Sequence, residues 1–551
     1  MLATTTDATG AVPSFAWSTF APELVLSATV MVLLLLLVAN RFRAAVATLC
    51  GAITVVVGVL LALPVNGADG DVFLGAVVIA LGVAFVGLPV GLGGVPRLIG
   101  PWVAGAGTLA ALALTGWQIT AVLVDEIGAT VPVLTAGGSV AFDGIAVMTR
   151  LTVLVSTLLV ILFSHGYLRE RNIARGEFEP LVLLSATGMM LLGAANDAIT
   201  LFVALEILSI SLYILAGLAR RDRRSQEAAI KYFVMGAVAS AILLYGLALA
   251  YVATGTLDLG EMALRLSLAG TNIGVAGLAL ALVTVGIGFK IAMAPFQLWT
   301  PDVYQGAPTN VTAFMAAGTK AAGFAIVLRL YLLAFQPLDD LWLPIITVLA
   351  AATMLYGALG AVVQVDLKRI LAYSSIAHAS YALIGVVAGG DQGVSATTWY
   401  LLTYAVSTLA AFGVVIAAER KRRGEVTLST LRGLGRSQPV LAWALTIALL
   451  SLAGIPPTAG FAGKLEVFRA GVASGFEWLV VIGVLSSVIA AFFYLRIIGA
   501  MFLEEPETDE APLVPDDLNI GISLAAAAIV FLGIQPQLVL DIATRTAQFA
   551  Q

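Results

Sequence analysis

The chain has 551 residues, of which 60% are hydrophobic and only 11% charged, with a net charge of -5. A mean hydropathy of +1.02 is outside the range of soluble globular domains, so the chain reads as a polytopic membrane protein. One cysteine, Cys50, and two distant histidines, His165 and His378, exclude an intrachain disulfide, an iron–sulfur cluster and a cysteine-rich zinc site within this chain. No dinucleotide fingerprint appears, and no basic face exists outside short loops, which argues against a resident redox cofactor and against nucleic-acid binding.

In chain order, apolar runs long enough to span a bilayer fall at about 23–39, 44–63, 72–94, 98–120, 142–164, 180–196, 198–219, 228–254, 272–300, 308–334, 341–364, 368–389, 396–418, 440–470, 477–503 and 517–536. The fold class expected is therefore all-α and polytopic, with about 16 transmembrane helices and short loops. Basic clusters occupy alternate loops: RFR at 41–43, Arg97, RERNIAR at 169–175, RRDRR at 220–224, KR at 368–369 and ERKRRGE at 419–425. The opposite loops carry NGADGD, DEIGAT, TGTLDLGE, LDD and GGDQG. The positive-inside bias then places both termini on the outer side of the membrane.

The runs also group. Residues 1–141 hold N-terminal spans, and 142–179 a core lead-in helix with a basic loop. Five spans follow over 180–334 and five more over 341–503, before an acidic loop and a C-terminal helix at 504–551. An odd number per unit makes the second unit enter from the other side, so the two are expected to be inverted repeats. The fourth span of each is broken by proline, Pro295 in the first and Pro456–Pro457 in the second, as in transporters built from inverted repeats with discontinuous helices. Proline removes a backbone donor, and the carbonyl it orphans persists at membrane depth only inside protein or beside water.

Charges within the spans mark the functional candidates, because each costs about 2.5–3.5 kcal/mol at the centre of a membrane helix. Glu206 heads a polar stripe with Ser209 and Tyr213. Lys231 stands near the start of the next span. Lys290 lies beside Pro295, and Lys320 lies on the following span in line with Thr309 and Tyr331. His378 shares a face with Ser374, Ser375 and Tyr381, opposite a second stripe of Tyr400, Thr403, Tyr404 and Ser407. Lys464 follows the second broken point. Arg150, Arg329, Glu466, Arg469 and Arg496 sit nearer span ends or beside opposite charges, where structural pairing serves as well. Burial disfavours the charged form of a lysine and a nearby carboxylate restores it, so a Glu–Lys pair of changing separation can load and release a proton.

Five blocks, occurring in order, carry a family resemblance: LFVALEILSISLYILAG (201–217), EAAIKYFVMGAVAS (227–240), GIGFKIAMAPFQLWTPDVYQGAP (286–308), KRILAYSSIAHASY (368–381) and SLAGIPPTAGFAGK (451–464). Over about 142–540 the chain resembles the N-type antiporter-like subunits of proton-pumping NADH–quinone oxidoreductase, respiratory complex I. WTPDVYQGAPT and Lys464 look like the N type; the sister M type has glutamate where Lys464 stands. The resemblance implies a proton relay of Glu206, Lys231 or Lys290, then Lys320, His378 and Lys464. It implies no cofactor in this chain, with NADH, FMN, iron–sulfur clusters and quinone held by partner subunits. It implies other membrane-arm subunits as partners, especially the M type and the small membrane subunits, within a bacterial cell membrane. Two extra apolar spans at about 66–139 depart from the family pattern. A cation/proton antiporter or membrane-bound hydrogenase subunit shares the fold and the buried charges and is the competing reading; a solute transporter would need a polar pocket beyond the relay.

The predicted topology is tested by single cysteines in a Cys50→Ser background. A probe at position 10 and a probe in the 503–516 loop should label from opposite sides of the membrane; labelling of both from one side would refute it.

Overall fold

A computed structural model describes residues 17–38, 100–123, 133–171, 173, 176–268, 270–422, 426–505 and 514–547. Helices dominate: α1 Ala21–Val38, α2 Gly100–Leu123, α3 Gly144–Arg171, α4 Phe178–Ala194, α5 Ala198–Ala216, α6 Arg223–Thr254 and α7 Leu259–Leu266. Next come α8 Ile273–Ile291, α9 Trp299–Gly306, α10 Thr309–Arg329, α11 Asp339–Val362, α12 Leu367–Ala388 and α13 Gly390–Arg422. Beyond the four-residue helical turn Leu434–Ser437, the chain closes with α14 Pro439–Ala453, α15 Ala459–Ala473, α16 Glu477–Leu503, α17 Asp516–Ile534 and α18 Gln537–Ala547. A short antiparallel hairpin precedes α3, pairing Val133–Thr135 with Val140–Phe142.

Among the described residues, 10 helices are long and apolar enough to cross a membrane, and α4 and α14 are shorter apolar helices. Two features separate this from the expected span count. The runs at 44–63 and 72–94 lie outside the described residues, so of the extra pair expected at 66–139 only the second member is described, as α2. The run at 440–470 is not one helix but two, α14 and α15, and the run at 272–300 stops being helical at Ile291. Hydropathy does not register the breaks because the residues within them are themselves largely apolar.

Local chemistry sets the helix ends. Asp197 accepts hydrogen bonds from the Ile199 and Thr200 amides at the start of α5, and Asp222 and Asp366 cap α6 and α12 in the same way. Gly255 ends α6 in the left-handed conformation.

α10 lies at the centre, with every side chain from Thr309 to Arg329 buried. α12 and α13 are nearly as enclosed, and α10 packs against α3, α8 and α13. The periphery differs: α6 presents Ile230, Phe233, Val234 and Val238 outward, and α16 presents Val481, Leu485, Val488 and Phe492. Apolar side chains facing out of a bundle are the lipid-facing pattern of a membrane protein.

Several charges flagged in the sequence prove to be structural partners. Arg329 donates to Asp143 at 2.8 Å and to the Gly193 carbonyl at 2.6 and 2.8 Å, and Asp143 also caps α3 through the Ala146 amide. Arg150 pairs with Glu23 of α1. Arg496 donates to the Val362 and Gln364 carbonyls at the end of α11, and Arg469 pairs with Glu466. Removing one member of a buried pair strands the other charge. Asp143→Leu should therefore cost about 3–5 kcal/mol of stability. A clear fall in melting temperature of the purified protein in detergent is expected; an unchanged melting curve would make the pair dispensable.

Candidate functional site

The central chemistry follows from where two helices stop. In an α-helix the carbonyl of residue i accepts from the amide of residue i+4. Pro295 has no N–H, so the Ile291 carbonyl would lack a donor even if α8 continued. α8 instead ends with Ala292 left-handed at φ 60°, a conformation costing a non-glycine residue about 1–2 kcal/mol. Lys320 of α10 supplies the missing donor: its Nζ lies 2.6 Å from the Ile291 carbonyl oxygen. Gly323, one turn further along α10, lets the two helices approach, since a Cβ there would stand 3.0 Å from the Ile291 side chain.

The second break repeats the arrangement. Pro456 and Pro457 withhold donors from the Leu452 and Ala453 carbonyls, and Lys464 Nζ reaches these two oxygens at 2.9 and 3.1 Å. It also donates to Ser487 Oγ at 2.7 Å and lies 4.7 Å from the centre of the Tyr381 ring. Three acceptors match the three N–H donors of an ammonium. Gly454, left-handed at φ 84°, ends α14 where a Cβ would meet Lys464 Cδ at 2.8 Å.

Lys290, the last basic residue of α8, donates to Ser209 Oγ at 2.9 Å. Glu206 stands three residues earlier on the same α5 face, near enough for its charge to act on Lys290. The two do not form a direct ion pair, and Glu206 Oε1 is enclosed with no hydrogen-bond partner among the described residues. The Ser209 hydroxyl, which takes the Lys290 amine, donates in turn to the Leu205 carbonyl at 2.6 Å. Tyr213, next along the stripe, fits because α6 has Gly236 there: a Cβ would stand 2.1 Å from the phenol oxygen.

Lys231 is placed elsewhere. It pairs with Glu227 at 2.8 Å and with Asp302 at 2.9 Å, and Arg369 of α12 takes the other Asp302 oxygen at 2.9 Å. Of the two lysines considered for Glu206, the geometry brings Lys290 to it and gives Lys231 to Asp302. Burial raises the Asp302 carboxyl, but the hydrogen bonds and charges of Lys231 and Arg369 outweigh it and hold the group below the ordinary carboxylate range.

His378 of α12 is buried among tyrosine hydroxyls. Its Nδ1 is 2.6 Å from the Tyr400 hydroxyl and its Nε2 3.2 Å from the Tyr494 hydroxyl, which in turn bonds Ser374. Lys320 and Lys464 both lie near enough for their charge to bear on it. Tyr381 touches both sides, edge-on to His378 at 5.5 Å and under Lys464. The order Glu206, Lys290, Lys320, His378, Lys464 therefore runs as a row of titratable groups across the middle of the bundle, half-buried at Glu206 and buried at the other four.

Sequence reasoning passed over the basic-loop end of this row. Lys368 and Glu419 read there as loop charges, yet both are buried. Lys368 Nζ donates to the Ala307 carbonyl at 2.7 Å; Glu419 accepts from the Tyr167 and Thr309 hydroxyls and pairs with Arg171 at 3.3 Å. The available signal was an acid opening an otherwise basic loop. No cluster of three or more potential metal ligands occurs among the described residues.

Residues 195–490 match the family model described as NADH:quinone oxidoreductase/Mrp antiporter, transmembrane. The chain is 43% identical over 447 residues to NADH-quinone oxidoreductase subunit N 1 of Herpetosiphon aurantiacus, covering 79% of this chain and 90% of that one. It is 42% identical over 505 residues to NADH-quinone oxidoreductase subunit N of a Parafrankia species, covering 86% and 94%. Among solved structures it is similar to a chain of respiratory complex I from Thermus thermophilus, at 34% identity and TM-score 0.68 over 90% of this chain and 99% of that one.

The second break yields a test on the purified protein. Gly454→Ala both strains the left-handed turn and crowds Lys464, and should lower thermal stability by more than about 1–2 kcal/mol. Gly105→Ala, in α2 with open space around the new Cβ, should be neutral or stabilising by about 0.5–1 kcal/mol. Equal behaviour of the two in detergent melting would refute the packing of Lys464 against the break.

Proposed function

Because the chain belongs to the antiporter-like subunit family of NADH–quinone oxidoreductase, and to its subunit N group, we propose that the buried row conducts protons within it. The protein is an integral membrane subunit of the membrane arm of complex I, and its partners are other subunits of that enzyme. The enzyme transfers electrons from NADH to quinone; this chain supplies proton translocation coupled to that transfer. The electron carriers belong to partner subunits, since one cysteine and two separated histidines leave nothing here to hold a cluster or haem. The wider architecture proposed is about 16 spans with two inverted five-helix repeats at 180–334 and 341–503, both termini facing outward in a bacterial cell membrane. A proline-broken fourth member in each group and the loop charge alternation support it.

The observation that carries the proton reading is the row itself. Lys290, Lys320 and Lys464 are all buried at the broken points, each held by neutral oxygen acceptors rather than by a direct ion pair. A permanently paired lysine is locked in its charged form; one held by hydroxyls and carbonyls keeps donors to offer in either form. Glu206 modulates Lys290 through its charge, His378 joins the halves, and Lys464 ends the row. Lys231, with Asp302 and Arg369, stands at the basic-loop end of the first half and is assigned to proton delivery there. The competing antiporter reading shares the fold, but the relatives at 42–43% identity are NADH–quinone oxidoreductase subunits.

Lys290→Arg preserves charge but cannot release a proton, since arginine stays protonated. In assembled enzyme reconstituted into vesicles, Lys290→Arg and Lys290→Ala should both depress NADH-driven proton uptake well below wild type at normal assembly. Glu206→Gln should depress it as well, by taking away the carboxylate that favours protonated Lys290. Wild-type pumping by Lys290→Arg would make the lysine a structural charge.

A further inference from the structure

At the end of the bundle that carries the basic loops lies a cavity of about 430 Å³, lined by Arg171, Arg224 and Lys368 together with Asp222, Asp366 and Glu419. Its charges are mixed in equal number. An anion site would show an excess of bases, and a cation site a convergence of acids; a balanced polar lining suits water. Glu419, at the end of α13, has a side chain only 10% exposed. Tyr167 of α3 donates to its Oε2 at 3.2 Å, the Thr309 hydroxyl donates to the same oxygen, and Arg171 faces its Oε1. The Thr309 amide donates to Tyr167, so carboxylate and hydroxyls close into one network.

The position of that network gives it a direction. Thr309 is the first residue of α10, and Lys320 lies eleven residues further along, about 16 Å at the helical rise. Lys368 is in the first turn of α12, and His378 lies ten residues on, about 15 Å deeper. The two central helices of the buried row thus both begin at this cavity. An arginine partner alone would satisfy a purely structural carboxylate; two hydroxyls that can each accept and donate are the groups a moving proton needs.

We propose that Glu419 is a proton-loading residue that takes protons from the cavity on the basic-loop side and feeds them to the row at Lys320 and His378. The proposal rests on the proton-translocating reading above. In the loading step a hydronium in the cavity gives its proton to the Glu419 carboxylate, leaving water and a neutral carboxylic acid. In the next step the acid gives that proton to the Thr309 hydroxyl oxygen as the hydroxyl releases its own proton to a water further in. Glu419 returns to its carboxylate and no other reactant is consumed.

The test uses the assembled enzyme in vesicles, with Cys50→Ser as background. Ala219→Cys places a thiol in the cavity wall, and a membrane-impermeant trimethylammonium thiosulfonate is added from either side. Labelling from the basic-loop side should slow proton uptake per NADH oxidised several-fold; addition from the other side, or to the background without the new cysteine, should not. Glu419→Gln should show a similar several-fold loss, and Glu419→Asp should retain most of the rate. Wild-type pumping by Glu419→Gln overturns the proposal. If that variant does not assemble, undiminished pumping after complete labelling of Ala219→Cys overturns it instead. Lys290→Arg in the same preparation separates the two readings. Its failure to pump beside a normal Glu419→Gln removes only the loading role, whereas normal pumping by Lys290→Arg removes the proton reading itself.

Discussion

A backbone carbonyl in an apolar medium must find a donor, and the rest of this structure depends on how that demand is met at two helix breaks. Pro295, Pro456 and Pro457 each withhold an amide from the carbonyl four residues earlier, and a lysine amine replaces it in each case. The lysines are thereby drawn to the middle of the bundle, where a charge without such acceptors would be prohibitive. The breaks hold the lysines and the lysines hold the breaks. The two breaks reach the same solution differently: the amine comes from the neighbouring helix α10 at the first break and from α15, just past the prolines, at the second.

Around that centre the remaining charges divide by depth. Towards one end, Arg329 with Asp143 and Arg150 with Glu23 form direct buried pairs whose bonds also tie α1, α3, α4 and α10 together. Towards the basic-loop end, the paired charges also line open space: Glu419 with Arg171, beside Lys368, at one cavity, and Lys231 with Asp302 and Glu227 at a second of about 250 Å³. Paired charges stiffen a bundle, and those that also line a cavity leave it polar enough to hold water.

Much of this was legible in the amino-acid order. Hydropathy marks the spans because a bilayer requires long apolar runs, and proline marks the broken members because it lacks an amide. Intramembrane lysines stand out by cost alone, so Lys290, Lys320 and Lys464 were visible as candidates. The polar stripe of Glu206, Ser209 and Tyr213 followed from helical periodicity. The misreadings have equally physical causes. Glu419 and Lys368 looked like loop charges because burial at a helix end depends on what covers that end.

By itself, then, the sequence determined what is local or periodic: membrane class, the apolar spans, the break points and the identity of the costly charges. Only the tertiary structure decided the partnerships. That Lys290 meets Ser209 rather than bonding Glu206 directly, that Lys231 goes to Asp302, and that Lys320 answers Ile291 are contacts between residues 29 to 81 positions apart. They are set by helix crossing and by which glycines allow close approach. Periodicity places a residue on a face of its own helix; packing alone chooses the helix that the face meets.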